Sequence, residues 1–341
     1  MNYQFQHNSV MITPQVDIKE NDIFEFSPDL LSALLKDHSL STQEQQVNIF
    51  WATDNYAERG VGYQYNDEIK VENITADNGM VIVPRSVKSR QQQQQRSREM
   101  AEVFTPSWVC NAQNNLVDNA WFGREGIFNT ENPDHTWTVN TALITFPEGK
   151  TWRDYVRDTR LEITCGEAPY IVSRYDTVSG ESIPIEQRIG LLDRKLRVVS
   201  ENVDNTTDWL KWAQVAYQNV YGYEWQGDNL LLARENLLMT FVDYYKAKFG
   251  KEPQLKSLLY IAYIISWNFW QMDGLKGVIP GSCGERHEIV ADLFGETEVV
   301  SQCEGCKDGN IRHHNGTYCL IRDWSTKSEN KKKIRFIDLI K

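Results

Sequence analysis

Four of the chain's six cysteines, Cys283, Cys303, Cys306 and Cys319, fall near one another in a late stretch that also holds His313 and His314. Cys303-Glu-Gly-Cys306 has the spacing of a metal knuckle. Zinc takes four nitrogen or sulfur ligands in a tetrahedron; Cys303, Cys306 and Cys319 offer three, and His314 or Cys283 the fourth. Such a metal would be structural, since residues 304–317 are poor in apolar side chains and have little else to fold around. Two other readings of the same residues are reduced thiols in a polar loop and a Cys-x-x-Cys redox pair. Disulfides are not expected in a chain without a secretory leader.

A second group of residues sits where short apolar runs end in acid. Leu161-Glu-Ile-Thr-Cys-Gly166 reads as a buried strand that breaks into a glycine turn, with Glu162 at its tip. The glycine lets backbone approach a ligand closely, and the acid can take a charged or hydrogen-bonding group. Val220-Tyr-Gly-Tyr-Glu-Trp225 is a second such strand, ending in Glu224. In an open parallel sheet, an acid at the tip of the second strand is placed to accept ribose hydroxyls. Upstream, Glu102-Val-Phe-Thr-Pro106 turns the chain into a helix.

The elements that must position these groups follow from periodicity. A helix is expected from Pro28 to Lys36 with Ser27 as cap, and strands at Val47–Trp51 and Gly79–Val83. Ile189, Leu192, Leu196 and Val199 recur at three or four residues and predict a helix with one apolar face; Trp209–Val220 is the next, capped by Thr207 or Asp208. Leu230, Leu237, Phe241 and Tyr245 mark a long helix from Gln226 to about Phe249. Another, apolar nearly all round, is expected from Pro253 to Gly274. The aromatics of residues 107–160 read as core, while Asn111, Asn114, Asn115 and Asp118 share a helix that can turn one face to a ligand.

At 341 residues and 41% hydrophobic, the chain is long enough for one large or two modest domains. No apolar run is long enough to span a bilayer and no basic leader opens the chain, so no membrane association and a cytoplasmic location are expected. The net charge of −11 argues against a lone nucleic-acid binder, because phosphate contacts need Lys and Arg. Basic residues do gather around Gln91–Gln95, with Arg85, Lys88, Arg90, Arg96 and Arg98 beside them; the arm reads as a solvated helix or as a DNA- or partner-contacting segment.

The Thr-Pro turn, the glycine turn and the acid-tipped strand, in that order, resemble the S-adenosylmethionine-binding half of the N6-adenine DNA methyltransferases of restriction-modification systems. The resemblance implies a doubly wound, Rossmann-like α/β core at 101–280, after an N-terminal α+β region at 1–100 that ends in the Gln-rich arm. A Cys/His-rich insertion at 281–320 and a strand segment at 321–341 complete the chain. It implies cofactor contacts from Phe104, Thr105, Pro106, Glu162, Cys165, Gly166, Glu167, Ala168, Glu224 and Trp225, with Asp323 or Asp338 on the adenine. The family's glycine motif carries a second glycine where this chain has Ala168. Its Asn- or Asp-Pro-Pro-aromatic loop, which holds the target amine, has no counterpart; Asn268 in Asn268-Phe-Trp-Gln271 is the candidate substitute. The expectation is therefore a split enzyme acting on DNA, its catalytic loop and target recognition on a second polypeptide. An inactive regulatory methylase relative and an RNA or protein methyltransferase are the alternatives.

Overall fold

The computed structural model describes residues 16–99, 102–103, 105–292, 295–326 and 332–340. At its centre are three parallel strands, β1 (Arg160–Glu162), β2 (Val220–Glu224) and β3 (Phe269–Gln271), in that order across the sheet. Glu162 lies opposite Gly222, which lies opposite Phe269. Parallel neighbours need crossover connections, and helices supply them. Between β1 and β2 run Leu191–Asn202 and Thr206–Gln218; between β2 and β3 run Gly227–Phe249 and Leu255–Asn268. The architecture is mixed α/β, as the strand-helix alternation of the sequence requires.

The helix Leu191–Asn202 buries Leu192, Leu196 and Val199 completely, at the spacing that predicts it. The next helix is capped by Asn205, whose Oδ1 accepts the Asp208 N–H at 2.9 Å, rather than by Thr207 or Asp208. Helix Gly227–Phe249 is buried along most of its length and ends at left-handed Gly250. Its first residue has to be glycine: a Cβ there would lie 2.1 Å from the Phe50 carbonyl oxygen. That close approach lets the Gly227 N–H donate to Trp51 O and seats the N-terminal segment against the core. Helix Pro28–Leu35 packs on Leu255–Asn268 through Leu30, Leu31, Leu34 and Leu35. A smaller cluster, containing Tyr223, Trp270, Ile279 and Ile321, also covers the sheet, helped by the antiparallel pair Leu320–Arg322 and Lys333–Arg335.

Three expectations are corrected. The first expected strand is broken into Val47–Asn48, which pairs with Lys36–Asp37, and an isolated antiparallel bridge from Phe50 to Glu68. Residues 79–83 are turn and coil, because Val81 and Ile82 are buried without a neighbouring strand and the Val81 N–H turns back to Asn78 O. The late helix stops at Asn268 instead of reaching Gly274. The Asn268 side-chain amide donates to Tyr217 O and Val220 O, and the aromatic residues that follow become β3. A hairpin unforeseen from the sequence, Arg286–Asp292 paired with Gly295–Ser301, projects from the Cys-rich segment.

The loop after Gly166 is tied to helix Leu191–Asn202 by Asp193, whose Oδ2 accepts the Ser173 N–H at 2.8 Å and its hydroxyl at 3.1 Å. Burial pushes this carboxyl up to about 6 against the opposing pull of Arg188 and Ser173. The folded chain thus holds the Asp193 proton more tightly than the unfolded chain, where the group titrates near 3.8. Its contribution to stability is complete below the unfolded value and is lost as pH rises through the folded one. Asp193→Asn is expected to flatten that slope and to raise stability near neutral pH by about 1–3 kcal/mol. Urea unfolding across the acid range measures this, and an unchanged slope refutes it.

Candidate functional site

At the carboxyl ends of β1 and β2 the chain opens into a cleft of about 980 Å³. This is where open parallel sheets bind ligands, since the strand ends splay there and loops of either side converge. The cleft is floored by residues 161–166 and by Glu224, Trp225 and Gln226, with Asn229 from the following helix. One wall is Gln113, Asn114 and Val117 of helix Ser107–Phe122. The other carries Tyr65, Arg98, Glu102, Val103 and Thr105.

The floor is built around a backbone turn that most side chains resist. Thr164, Gly166 and Ala168 have φ of 46°, 52° and 61°, left-handed values that favour glycine. Glu224 holds the turn: its Oε2 accepts the Gly166 N–H at 2.8 Å and its Oε1 the Gln226 N–H at 3.2 Å. Burial raises the Glu224 carboxyl, and the backbone N–H groups pull the other way. Glu162 is buried, with Oε1 accepting the Tyr170 N–H at 3.3 Å and Oε2 having no hydrogen-bond partner. Burial drives it well above the ordinary carboxylate value, assisted by the Glu224 charge. The Cys165 thiol between them is pushed up for the same reasons, so it is not a thiolate nucleophile.

The Gln-rich arm forms helix Arg90–Glu99, with its glutamines exposed or half-buried. Arg96 is not solvated. Only 3% exposed, it donates from Nε to Glu102 at 2.6 Å and from a terminal nitrogen to Gln226 at 2.9 Å, and pairs with Asp228 at 2.9 Å. Tyr56 donates to the same Asp228 carboxylate and Asn229 to Glu102. The arm is thus docked against the start of helix Gly227–Phe249, and this arginine is not available to a DNA backbone.

Of the residues expected to contact a cofactor, Thr105, Glu162, Cys165, Gly166, Glu224 and Trp225 line the cleft. Phe104 lies outside the described residues. Pro106 faces an adjacent groove. Glu167 turns inward, accepting the Arg85 N–H and the Tyr175 hydroxyl, and Ala168 is buried beneath the turn. Asp323 bonds Ser325 and Asp338 pairs with Arg335; neither lines the cleft, because the segment carrying them packs by the second hydrophobic cluster. Asn268 is fully buried, its amide used on backbone carbonyls and its Oδ1 on the Trp324 indole N–H, so it cannot meet a substrate amine. Of the asparagine face, Asn114 reaches the cleft, whereas Asn111, Asn115 and Asp118 bind Arg194. Tyr65, Arg98, Glu102 and Asn229 are additions. Glu102 and Asn229 lie inside recognisable motifs; Tyr65 arrives from a turn with no local signal.

The residues that could hold a metal are Cys283, Cys303, Cys306 and His314, whose donor atoms all lie within 4.8 Å of one another. Cys283 Sγ stands 3.3 Å from Cys303 Sγ, 3.5 Å from Cys306 Sγ and 3.4 Å from His314 Nδ1. Three soft thiols and an imidazole are a zinc donor set, and separations of this size suit a tetrahedron. Gly305 leaves the room: a Cβ there would sit 2.7 Å from His314 Nδ1. Cys319 does not belong. It is fully buried, its thiol 3.3 Å from Gln271 O, in the cluster with Trp270 and Ile321. Pairing of the hairpin brings Cys283, just before one strand, beside Cys303, just after the other.

The chain is thus a mixed α/β protein with an acidic strand-end cleft and a Cys3His cluster that can hold a metal such as zinc. Compared with known families, curated proteins and solved structures, it matches none. Among the described residues no helix is long and apolar enough to cross a membrane.

Metal analysis of the purified chain is expected to find about one zinc per chain. Serine at Cys283, Cys303 or Cys306 should lower that content sharply, and Cys319→Ser should leave it intact. Retention in Cys283→Ser with loss in Cys319→Ser would reverse the assignment.

Proposed function

We propose that the cleft binds S-adenosylmethionine and that the chain is the cofactor-binding subunit of an adenine-N6 DNA methyltransferase of a restriction-modification system. Its core would be one wing of a Rossmann-like sheet. The observation that carries the reading is the Glu224 carboxylate reaching from the tip of β2 to the Gly166 N–H of the glycine turn, beside the unsatisfied Oε2 of buried Glu162. A nucleoside with a cationic amino-acid arm fits that donor-acceptor pattern. Glu224 keeps lone pairs for two ribose hydroxyls, Glu162 can accept the ammonium group, and Gly166 offers backbone without a side chain. Trp225 and Tyr65, joined by an indole N–H to hydroxyl bond of 3.1 Å, stand beside Glu224 as an aromatic wall for a purine.

When bound, the cofactor supplies a sulfonium methyl group for in-line attack by the base nitrogen. The work of this chain is to hold the cofactor in line and keep water away. An asparagine or aspartate loop for the target amine is lacking, and the cleft lining is acidic; both support a second polypeptide that contributes the catalytic loop and the basic DNA surface.

Calorimetric titration of S-adenosylmethionine tests the reading. Binding is expected in the micromolar range, weakened by about 1–3 kcal/mol in Glu224→Ala and in Glu162→Ala, the loss of a charged hydrogen bond. Both carboxyls are raised by burial, and the ligand's donors favour their ionised forms. Binding should therefore release protons and tighten as pH rises. No binding, or binding indifferent to both substitutions, overturns the proposal.

A further inference from the structure

The two edges of the central sheet are finished differently. At the outer edge of β3 the Gln271 side chain acts as a strand surrogate: its Oε1 accepts the Phe50 N–H at 3.1 Å and its Nε2 donates to Phe50 O at 2.8 Å. Among the described residues the outer edge of β1 has no such cover. The Arg160 N–H donates to Asn219 O, so alternation along the strand turns the backbone groups of Leu161 away from β2; past the strand the chain turns at left-handed Thr164, and the Cys165 N–H comes back to Tyr223 O. Among the described residues the Leu161 and Ile163 N–H groups meet no acceptor. Their side chains are also in solvent, 44% and 63% exposed, and Val103 and Val117 at 79% and 42% border the same cleft.

We propose that this edge docks an extended apolar segment of a second polypeptide, which adds beside β1 as a fourth strand and closes that side of the cleft. Unpaired strand amides flanked by apolar side chains are satisfied by another strand, with main-chain hydrogen bonds for affinity and alternate side chains for fit. Parallel sheets are otherwise covered. Charge narrows the occupant further. The cleft beside the edge holds Glu162 and Glu224 with Arg98, the Glu102 charge being met by Arg96 and Arg85, and the chain carries −11 overall. A segment flanked by lysine or arginine is complementary, whereas a nucleic-acid phosphate backbone is repelled. That the segment leads into the missing catalytic loop rests on the methyltransferase reading; the docking edge does not.

The probe is a synthetic nonapeptide, Lys-Val-Ile-Val-Gly-Asn-Pro-Pro-Tyr, titrated to about 1 mM against the full chain with hydrogen exchange of the Leu161 and Ile163 amides as readout. Saturable slowing of exchange at both amides is expected, with affinity falling at least roughly tenfold in Leu161→Asp and in Ile163→Asp, since a charge replaces a buried apolar contact. Circular dichroism confirms that these exposed substitutions leave the fold intact. Exchange unaffected by the peptide, or slowed elsewhere, overturns the proposal. So does a concentration-dependent dimer that the same substitutions abolish, which would make a second copy the occupant, or slowing by a DNA duplex instead. Titrating S-adenosylmethionine into the unsubstituted chain separates the two readings: peptide docking there without cofactor binding keeps this edge and rejects the methyltransferase.

Discussion

One guanidinium holds the sheet in place. Arg234, in the middle of the helix that follows β2, is fully buried and donates to four backbone carbonyls: Leu34, Lys36, Ser266 and Phe269. Two of these lie in the last turn of a helix, where carbonyls lack intrahelical partners and the dipole is negative. Burial lowers its pKa to about 10, leaving it a cation at neutral pH. A charge withdrawn from water is costly unless its geometry satisfies it, and five guanidinium N–H groups in a fixed fork meet that demand. The N-terminal helix, the late helix and the start of β3 are thereby referred to one point.

The same device recurs toward the cleft. Lys195 donates to Val156, Asp158 and Asn219 carbonyls, pinning the chain just before β1 and just before β2. Arg194 ties helix Ser107–Phe122 to the core through Asp118, and Arg96 ties the Gln-rich arm to the helix carrying Asn229. Strand starts are thus set by buried basic side chains and strand tips by buried acids, with Glu224 closing the series at the ligand end. The acidic tips are tolerable because backbone N–H groups meet them, and the one oxygen left over, Oε2 of Glu162, is buried beside the cleft.

Much of this was legible in order but not in partnership. The helices and the two acid-tipped strands follow from local period and from short apolar runs ended by Gly or Glu. The third strand was hidden because residues 258–270 are apolar but for Ser266 and Asn268, with no Gly or Pro to mark a break; what ends the helix is the demand of Asn268 for two distant carbonyls, a tertiary matter. Likewise the Cys-x-x-Cys knuckle is visible in sequence, yet Cys283 and Cys319 are chemically identical candidates. Only the pairing of an unforeseen hairpin brings one of them to the cluster and leaves the other to the core. Arg96 looked like a solvent-facing arm residue because its acidic partners are a few residues and a whole domain away.

The projecting hairpin has a thermodynamic consequence. Its strands pair with each other, and its open end is drawn together by the Cys283 and Cys303 thiols, while the large hydrophobic cluster is built elsewhere. With a metal held by the cluster, opening of residues 283–314 would cost the ligand bonds and the ladder but little of the main core. With a metal bound, that opening would answer to metal activity, whereas the rest of the fold answers to buried apolar area.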